Sequence, residues 1–240
     1  MTRLTTCPDA EAVARRAAAE VARHLERARS ERGVAHVALS GGTTPARTYE
    51  LLADEPVDWT GVELWFADER CVGPGDAQSN YRLASETLLG PAGIPSARVH
   101  RMEGELGPEE GARRYGLALR EHLRAHEGDL PVLDLILLGI GPDGHVASLF
   151  PDAATLDAGE EALCLGVWDS PKPPAKRITL SLSVLRAAGR CLLLATGASK
   201  ADAVDAMLAE PSRHIPASLL RRERLPVIVD DAASPTGVEE

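Results

Sequence analysis

The feature that most constrains this chain is an almost continuous apolar run, LDLILLGI, at residues 133–140. The run does not alternate between apolar and polar residues, so it does not fit a strand with one face in water. A short segment that is apolar on both faces is typical of a parallel strand covered by helices on each side. The run therefore predicts an α/β protein with a parallel sheet at its centre.

Other short apolar segments alternate with amphipathic ones along the chain. Helices are predicted at residues 9–32, 46–53, 78–89, 108–124 and 201–209, and strands at 36–39, 62–67, 97–102, 133–140, 162–168, 177–182, 191–195 and 226–229. This order predicts a Rossmann-like α/β fold, with a mostly parallel central sheet flanked by helices and a small additional antiparallel segment. We expect residues 1–240 to form a single catalytic domain, with room for a small lobe around 160–185 and a loose C-terminal tail at 234–240.

Charge and cysteine usage narrow the classes of function. The formal net charge is -10, which disfavours binding to nucleic acid or to an anionic membrane. The four cysteines are scattered without a CxxC pair, and this predicts neither a disulfide framework nor a metal site. The charged N-terminal segment does not fit a signal peptide, and no apolar run is long enough to cross a bilayer. We therefore expect a cytoplasmic protein, and we favour a monomer.

Polar and glycine residues collect in four loops that directly follow predicted strands. In open α/β sheets, ligands bind at the carboxyl ends of the strands, so these loops are expected to meet at one site. The loops contain Gly41, Gly42 and Thr43 after the first strand of the sheet, Asp68 and Arg70 after the second, Asp143 and His145 after the apolar run, and Lys200 after the strand at 191–195.

The Gly41–Gly42 loop lies between a strand and the start of a helix. Glycines let the backbone approach an oxyanion closely, and a helix N-terminus favours negative charge, so the loop is suited to phosphate. The hydroxyls of Thr43 and Thr44 add hydrogen-bond donors. The alternative is a tight turn in which one of these threonines only caps the helix. The pattern is neither a Walker loop nor GxGxxG, so it does not indicate a nucleotide.

Two basic residues follow the same strand ends. Arg70 and Lys200 suit a phosphate dianion, although a salt bridge for Arg70 and a solvated helix start for Lys200 are alternatives. Lysine is rare here, with only Lys172 and Lys176 besides Lys200, and these two are equally well explained as surface residues. Arg177 starts its predicted strand, so it reaches the site only if that strand runs antiparallel to its neighbours.

The tripeptide Asp143-Gly144-His145 is the most informative short motif. Histidine titrates near neutral pH and can take a proton from water, and a carboxylate such as Asp143 can orient its ring. Asp-Gly is also a strong hairpin signal, so a turn with an incidental histidine is the alternative. The flanking sequences lack the alternation of a hairpin, and this favours a catalytic His145.

With these residues assembled, the chain resembles the 6-phosphogluconolactonase family, whose sheet belongs to the glucosamine-6-phosphate isomerase/deaminase-like superfamily. The matching segments are residues 39–46 (LSGGTTPA), 65–73 (WFADERCVG), 79–90 (SNYRLASETLLG), 138–152 (LGIGPDGHVASLFPD), 170–183 (SPKPPAKRITLSLS) and 195–202 (ATGASKAD). The DER segment and the GPDGHVASLFP stretch are highly specific, whereas the glycine loop alone is not.

The resemblance implies a metal-free and cofactor-free lactonase of the oxidative pentose phosphate pathway, acting on a phosphorylated sugar lactone. It implies that His145 activates water, with Asp143 beside it. The residues that it implies for holding the phosphate and sugar are Gly41, Gly42, Thr43, Asp68, Arg70, Arg177 and Lys200.

Two other functions remain open at this stage. An aminosugar-phosphate deaminase or isomerase shares the glycine loop but lacks the PDGHxASLFP context. A non-catalytic sugar-phosphate sensor usually carries a DNA-binding module, whereas the residues before the first predicted strand form one amphipathic helix. Ammonia release would identify a deaminase, and ligand binding without turnover would identify a sensor.

Overall fold

The computed structural model describes residues 3–123, 130–159, 161–220 and 222–235. Its strands are β1 Leu4–Cys7, β2 Ala35–Leu39, β3 Val62–Phe66, β4 Asp68–Arg70, β5 Leu135–Gly139, β6 Cys164–Val167, β7 Arg177–Leu180, β8 Cys191–Ala195 and β9 Val227–Asp230. Its helices are α1 Ala10–Arg32, α2 Thr43–Ala53, α3 Asn80–Ala84, α4 Pro108–His122, α5 Leu182–Ala187 and α6 Ala201–Leu208. The predicted α/β class is confirmed.

Six strands form the central parallel sheet in the order β1-β9-β8-β5-β2-β3. The apolar run supplies β5, which lies between β2 and β8 and has Leu135, Ile136, Leu137 and Leu138 at most 1% exposed. This burial on both faces explains why the segment lacks a polar alternation. Since β2, β5 and β8 are neighbours, the loops at their carboxyl ends lie side by side.

A smaller antiparallel sheet has the order β4-β7-β6. Its strands β6 and β7 lie inside the segment 160–185, where the sequence predicts an antiparallel addition. The third strand, β4, was expected to be a turn: after Ala67 the chain leaves the central sheet, and Asp68–Arg70 pairs with β7. This register sets Arg70 directly opposite Arg177, 107 positions later in the chain.

Further elements also differ from the sequence expectations. The predicted strand at 97–102 is wrong, because Ser96–Arg98 forms a 3-10 turn after Pro95 and only Val99 bridges to Leu64. Strand β1 was not predicted, since its four residues depend on pairing with β9. The strand predicted to extend to 182 ends at Leu180, where Ser181 caps α5 by accepting a hydrogen bond from the amide of Val184.

The ends of the predicted elements lie partly outside the described residues. Arg124, the predicted end of α4, and residues 236–240 of the predicted loose tail are among those not described. Ser234, at the start of that tail, lies 3.3 Å from Thr6 between hydroxyl oxygens. In the part of the chain that the structure describes, no helix is both long and apolar enough to cross a membrane.

Candidate active site

A cavity of about 330 Å³ lies at the carboxyl ends of β2, β5 and β8, where the small sheet closes one side. Most of the site residues predicted from the sequence line it: Gly41, Gly42, Thr43, Asp68, Arg70, His145, Arg177 and Lys200. Asp143 does not line it and instead lies behind His145, against which its carboxylate packs. Loops that are far apart in the sequence therefore meet in one cavity, as the strand order requires.

The glycine loop is held from below by a buried tyrosine. The hydroxyl of Tyr49 donates to the carbonyl of Ser40 at 2.7 Å and accepts from the amide of Ser40 at 2.9 Å. Gly42 has a φ of 121°, a left-handed value that favours glycine, and its carbonyl accepts from the amide of Ala46. Helix α2 begins immediately afterwards, so the positive end of its dipole lies at the cavity.

Two cations of the cavity, Arg70 and Lys200, lie at the end of β4 and in the turn after β8. Arg70 donates through one terminal nitrogen to the carbonyl of Gln78 at 2.6 Å, while its Nε is buried without a hydrogen-bond partner in the described residues. Lys200 ends the short turn Ala198–Lys200, which follows Gly197. The amide of Gly197 is anchored by both carboxylate oxygens of Asp230, each at 3.0 Å. Burial, with a contribution from nearby Lys172, lowers the pKa of Lys200.

Neither Arg70, Arg177 nor Lys200 forms a salt bridge with a carboxylate of the described residues. Many arginines elsewhere, such as Arg47 and Arg114, are paired in this way. Positive groups that share one cavity without salt-bridge partners repel each other, and Asp68 is the carboxylate that also lines the cavity. An anionic ligand would relieve the remaining repulsion. The cavity is therefore electrostatically suited to a small anion, despite the negative net charge of the whole chain.

Arg177 lines the cavity because β7 runs antiparallel to β4, the condition that the sequence left open. Its guanidinium, however, is mainly directed at the loop before β7. It donates to the carbonyls of Lys172 at 3.0 Å, Pro173 at 3.4 Å and Pro174 at 3.1 Å. Arg177 therefore holds the loop that carries Lys172, and burial lowers the pKa of Arg177.

His145 and Asp143 form a close pair beside the loop that carries Lys172, whose ammonium lies 3.5 Å from Asp143. The Nδ1 of His145 lies 2.5 Å from a carboxylate oxygen of Asp143. Both side chains lie directly over Gly141, where an added Cβ would come within 2.0 Å of the imidazole and 2.3 Å of the carboxylate. Only glycine at position 141 leaves room for the pair.

The hydrogen bond to Asp143 determines how His145 can react. A proton on Nδ1 satisfies the carboxylate, which leaves Nε2 as the basic nitrogen, and no other described residue engages it. Burial lowers the pKa of His145 and outweighs the opposing effect of Asp143. Burial also acts against ionisation of Asp143, but the hydrogen bond from His145, supported by the charges of His145 and Lys172, lowers the pKa of Asp143. The pair is thus a neutral imidazole held by an ionised carboxylate.

Three residues that sequence reasoning did not place in the site adjoin the cavity or its lining residues. Lys172 lines the cavity with its ammonium 3.5 Å from Asp143, and its only sequence signal was the scarcity of lysine. Ser148 is fully buried and donates to Asp68 at 2.7 Å. Asn80, the single asparagine of the chain, donates to both the carbonyl and the carboxylate of Asp68. Neither Ser148 nor Asn80 stands in a pattern that predicts this contact.

Fold and cavity together define a class of protein. It is an α/β protein that presents backbone amides and unpaired cations to a small anion, beside a histidine–carboxylate pair that can transfer a proton. Within the described residues, no three His, Cys, Asp or Glu side chains are grouped so that they could hold a metal ion.

The chain belongs to the glucosamine-6-phosphate isomerase/6-phosphogluconolactonase family, whose model matches residues 8–229. A 6-phosphogluconolactonase of Streptomyces coelicolor is 38% identical over 82% of this chain and 78% of its own length. The human 6-phosphogluconolactonase is 41% identical over 73% of this chain and 67% of its own length. The crystal structure of 6-phosphogluconolactonase from Leishmania guyanensis aligns with a TM-score of 0.85 at 30% identity and covers 100% of both chains. The family resemblance noted in the sequence is confirmed.

Proposed function

We propose that this chain hydrolyses 6-phospho-D-glucono-1,5-lactone to 6-phospho-D-gluconate, a step of the oxidative pentose phosphate pathway. The observation that carries the proposal is that one cavity contains the glycine loop, the cations Arg70 and Lys200, and the open Nε2 of His145. Such a cavity can hold a small molecule by a phosphate at one end while His145 activates water to attack an ester carbonyl at the other end. The names of the relatives support the same reaction.

The phosphate is assigned to the end of the cavity formed by the glycine loop. Gly41, Gly42 and Thr43 offer backbone amides at the start of α2, and Arg70 and Lys200 supply positive charge. Arg177, whose Nε and one terminal nitrogen already donate to carbonyl groups, acts mainly by holding the loop that carries Lys172. The phosphate thereby anchors the substrate and positions its carbonyl, which can contribute several kcal/mol to catalysis.

His145 is assigned as the general base. Its Nε2 accepts a proton from water while the water oxygen forms a bond to the lactone carbonyl carbon, and the carbonyl electron pair moves to its oxygen. When the tetrahedral intermediate collapses, the bond to the ring oxygen breaks, and the imidazolium returns its proton to that oxygen. Asp143 stabilises the imidazolium through Nδ1. The ammonium of Lys172 is the nearest described cation to this pair, and its charge favours the neutral, basic form of His145.

The assay that tests the proposal uses freshly generated lactone, because this substrate also hydrolyses spontaneously. Purified protein should accelerate the formation of 6-phosphogluconate well above the spontaneous rate. A parallel assay measures release of ammonium from glucosamine 6-phosphate, the substrate type of the other enzymes in the family's name. Ammonium release without lactone hydrolysis would assign the deaminase reaction, and tight binding of 6-phosphogluconate without any turnover would assign a sensor.

We further propose that the protein acts in the cytoplasm as a monomer without a metal or organic cofactor. All four cysteines are free thiols, as in a reducing compartment. Lactonase activity that survives treatment with a chelator, and a mass near 25.5 kDa in solution, would support these assignments.

A further inference from the structure

Asn80 lies beneath the cavity, between the glycine loop and β4, and is 3% exposed. Its Nδ2 donates to the carbonyl oxygen of Asp68 at 2.9 Å and to a carboxylate oxygen of Asp68 at 3.0 Å. Both partners are acceptors only, so the orientation of the amide is determined: Nδ2 must face Asp68 and Oδ1 must face away from it.

The amide oxygen of Asn80 faces Gly41. A Cβ at position 41 would lie 1.9 Å from Oδ1 and 2.7 Å from Cγ of Asn80, so the loop backbone passes directly over this side chain. Oδ1 is buried and has no hydrogen-bond partner in the described residues. An unpaired buried acceptor is unfavourable for folding, and such groups are retained where function requires their position.

Asp68 is the residue that this contact holds in place. Asp68 is 5% exposed and lines the cavity, and its carboxylate accepts one hydrogen bond from Asn80 and one from the hydroxyl of Ser148. A carboxylate has about four acceptor sites, so acceptor capacity remains for a ligand. Its charge repels a phosphate, whereas sugar hydroxyls are suitable donors.

We propose that Asn80 is a positioning residue that sets the spacing between the glycine loop and Asp68. This spacing holds the phosphate-binding amides and a hydroxyl-accepting carboxylate at the separation required by one sugar phosphate. The inference rests on the proposed function, since it assigns the substrate hydroxyls to Asp68. Asn80 touches no substrate and acts through Asp68 and Gly41.

The first test is the kinetics of Asn80→Ala with the lactone. A hydroxyl contact that is equal in the ground and transition states contributes to KM, so we expect KM to rise roughly 10-fold while kcat changes less than about threefold. Affinity for 6-phosphogluconate should fall by the same factor, and affinity for inorganic phosphate, which lacks the sugar hydroxyls, should fall less. Equal losses for the two ligands, or an unchanged KM, would overturn the proposal.

Ser79→Ala is the matched control. Ser79 caps the same helix by accepting from the amide of Arg82 and also donates to Glu69, but contacts neither Asp68 nor Gly41. Ser79→Ala should lower thermal stability by about as much as Asn80→Ala does, and it should leave KM unchanged. If both variants raised KM equally, Asn80 would have only a structural role.

A double variant tests the contact with Gly41. In Gly41→Ala the new methyl group displaces the Asn80 amide from Asp68, so KM should rise more than in Asn80→Ala. Removal of the amide leaves space for that methyl group, so Gly41→Ala with Asn80→Ala should bind the lactone better than Gly41→Ala alone. If the KM of the double variant instead equals the wild-type KM multiplied by the separate factors of the two single variants, the residues act independently and the proposal is overturned.

These outcomes can be distinguished from failure of the proposed function. A wild-type protein that does not hydrolyse the lactone refutes the function itself. A wild-type protein that hydrolyses it, together with an Asn80→Ala variant of normal KM, refutes only the role of Asn80. Should Asn80→Ala fail to fold, Asn80→Ser keeps a small polar side chain and should raise KM in the same direction.

Discussion

Two histidine–carboxylate pairs in this molecule have similar chemistry and different surroundings. His145 contacts Asp143 at 2.5 Å, and His100 contacts Glu63 at 2.9 Å. Burial lowers the pKa of both histidines. His145 follows the central strand β5 and opens into the cavity, whereas His100 stacks on the indole of Trp65 at 3.9 Å between ring centroids.

The difference lies in which nitrogen the carboxylate engages and in what covers the ring. Asp143 binds Nδ1 of His145 and leaves Nε2 at the cavity, while Glu63 binds Nε2 of His100. The ring of His100 is enclosed by Trp65 and by His122, whose centroid is 4.4 Å away. A perturbed histidine beside a carboxylate therefore does not define an active site. The distinguishing feature is access of the free nitrogen to the cavity, because the His100 pair also has a cation beside it, Arg98, which donates to Glu63 at 2.8 Å.

The largest expected effect is that of His145→Ala on turnover. Loss of a general base should lower kcat by roughly 10²–10⁴-fold. Affinity for 6-phosphogluconate should stay nearly unchanged, because the residues proposed to hold the phosphate are left intact. Steady-state kinetics and calorimetric titration measure the two quantities. A kcat near that of the wild type would mean that His145 is not the base.

Lys200→Ala should affect binding more than the chemical step. A charge-assisted contact to phosphate is worth about 1.5–3 kcal/mol, so KM should rise roughly 10–100-fold. Lys176→Ala is the matched control, since the ammonium of Lys176 lies over the Trp168 ring, 5.4 Å from its centroid, and does not line the cavity. Equal kinetics for the two variants would remove Lys200 from the phosphate site.

His100→Ala should have the opposite signature to His145→Ala. Loss of the stacking on Trp65 and of the hydrogen bond to Glu63 should lower the free energy of unfolding by about 1–2 kcal/mol. Thermal unfolding should show a midpoint lowered by a few degrees, while kcat and KM remain those of the wild type. A loss of turnover in a folded His100→Ala protein would contradict the distinction between the pairs.

The smallest expected effect is the contribution of His100 to the pH dependence of the free energy of unfolding. Burial lowers the folded-state pKa of His24, His36 and His100 below the usual 6.5. Below pH 6.5 the unfolded chain therefore binds more protons than the folded one, and stability falls with decreasing pH until the folded-state pKa values are reached. His36 illustrates why the folded state disfavours protonation: its Nδ1 accepts a hydrogen bond from the indole of Trp65 and must therefore be unprotonated.

Denaturant unfolding at pH 7.5 and 5.5 measures this dependence. His100→Ala should reduce the loss of stability between the two pH values by roughly 1 kcal/mol or less. Stability that is constant or higher at pH 5.5 would show that these histidines are not held neutral. In the same pH range kcat should also fall, because protonation removes the basic nitrogen of His145.

Much of the fold was predictable because its signals are local. The uninterrupted apolar run at β5 and the loop residues after β2, β5 and β8 are patterns within a few positions of one another. Strand β4 was not predictable in this way. Its three residues, Asp68–Arg70, become a strand only because β7 pairs with them.

The sequence by itself determined the α/β class, the chemistry of the four loops and the presence of a histidine next to a carboxylate. Only the tertiary structure decided that Arg177 points mainly at the Lys172 loop and that Asn80 lies between Gly41 and Asp68. The physical reason is the separation along the chain of the residues that interact. Periodicity and loop chemistry depend on neighbours in the chain, whereas contacts between side chains depend on strand pairings that join residues more than 100 positions apart, as Arg70 and Arg177 show.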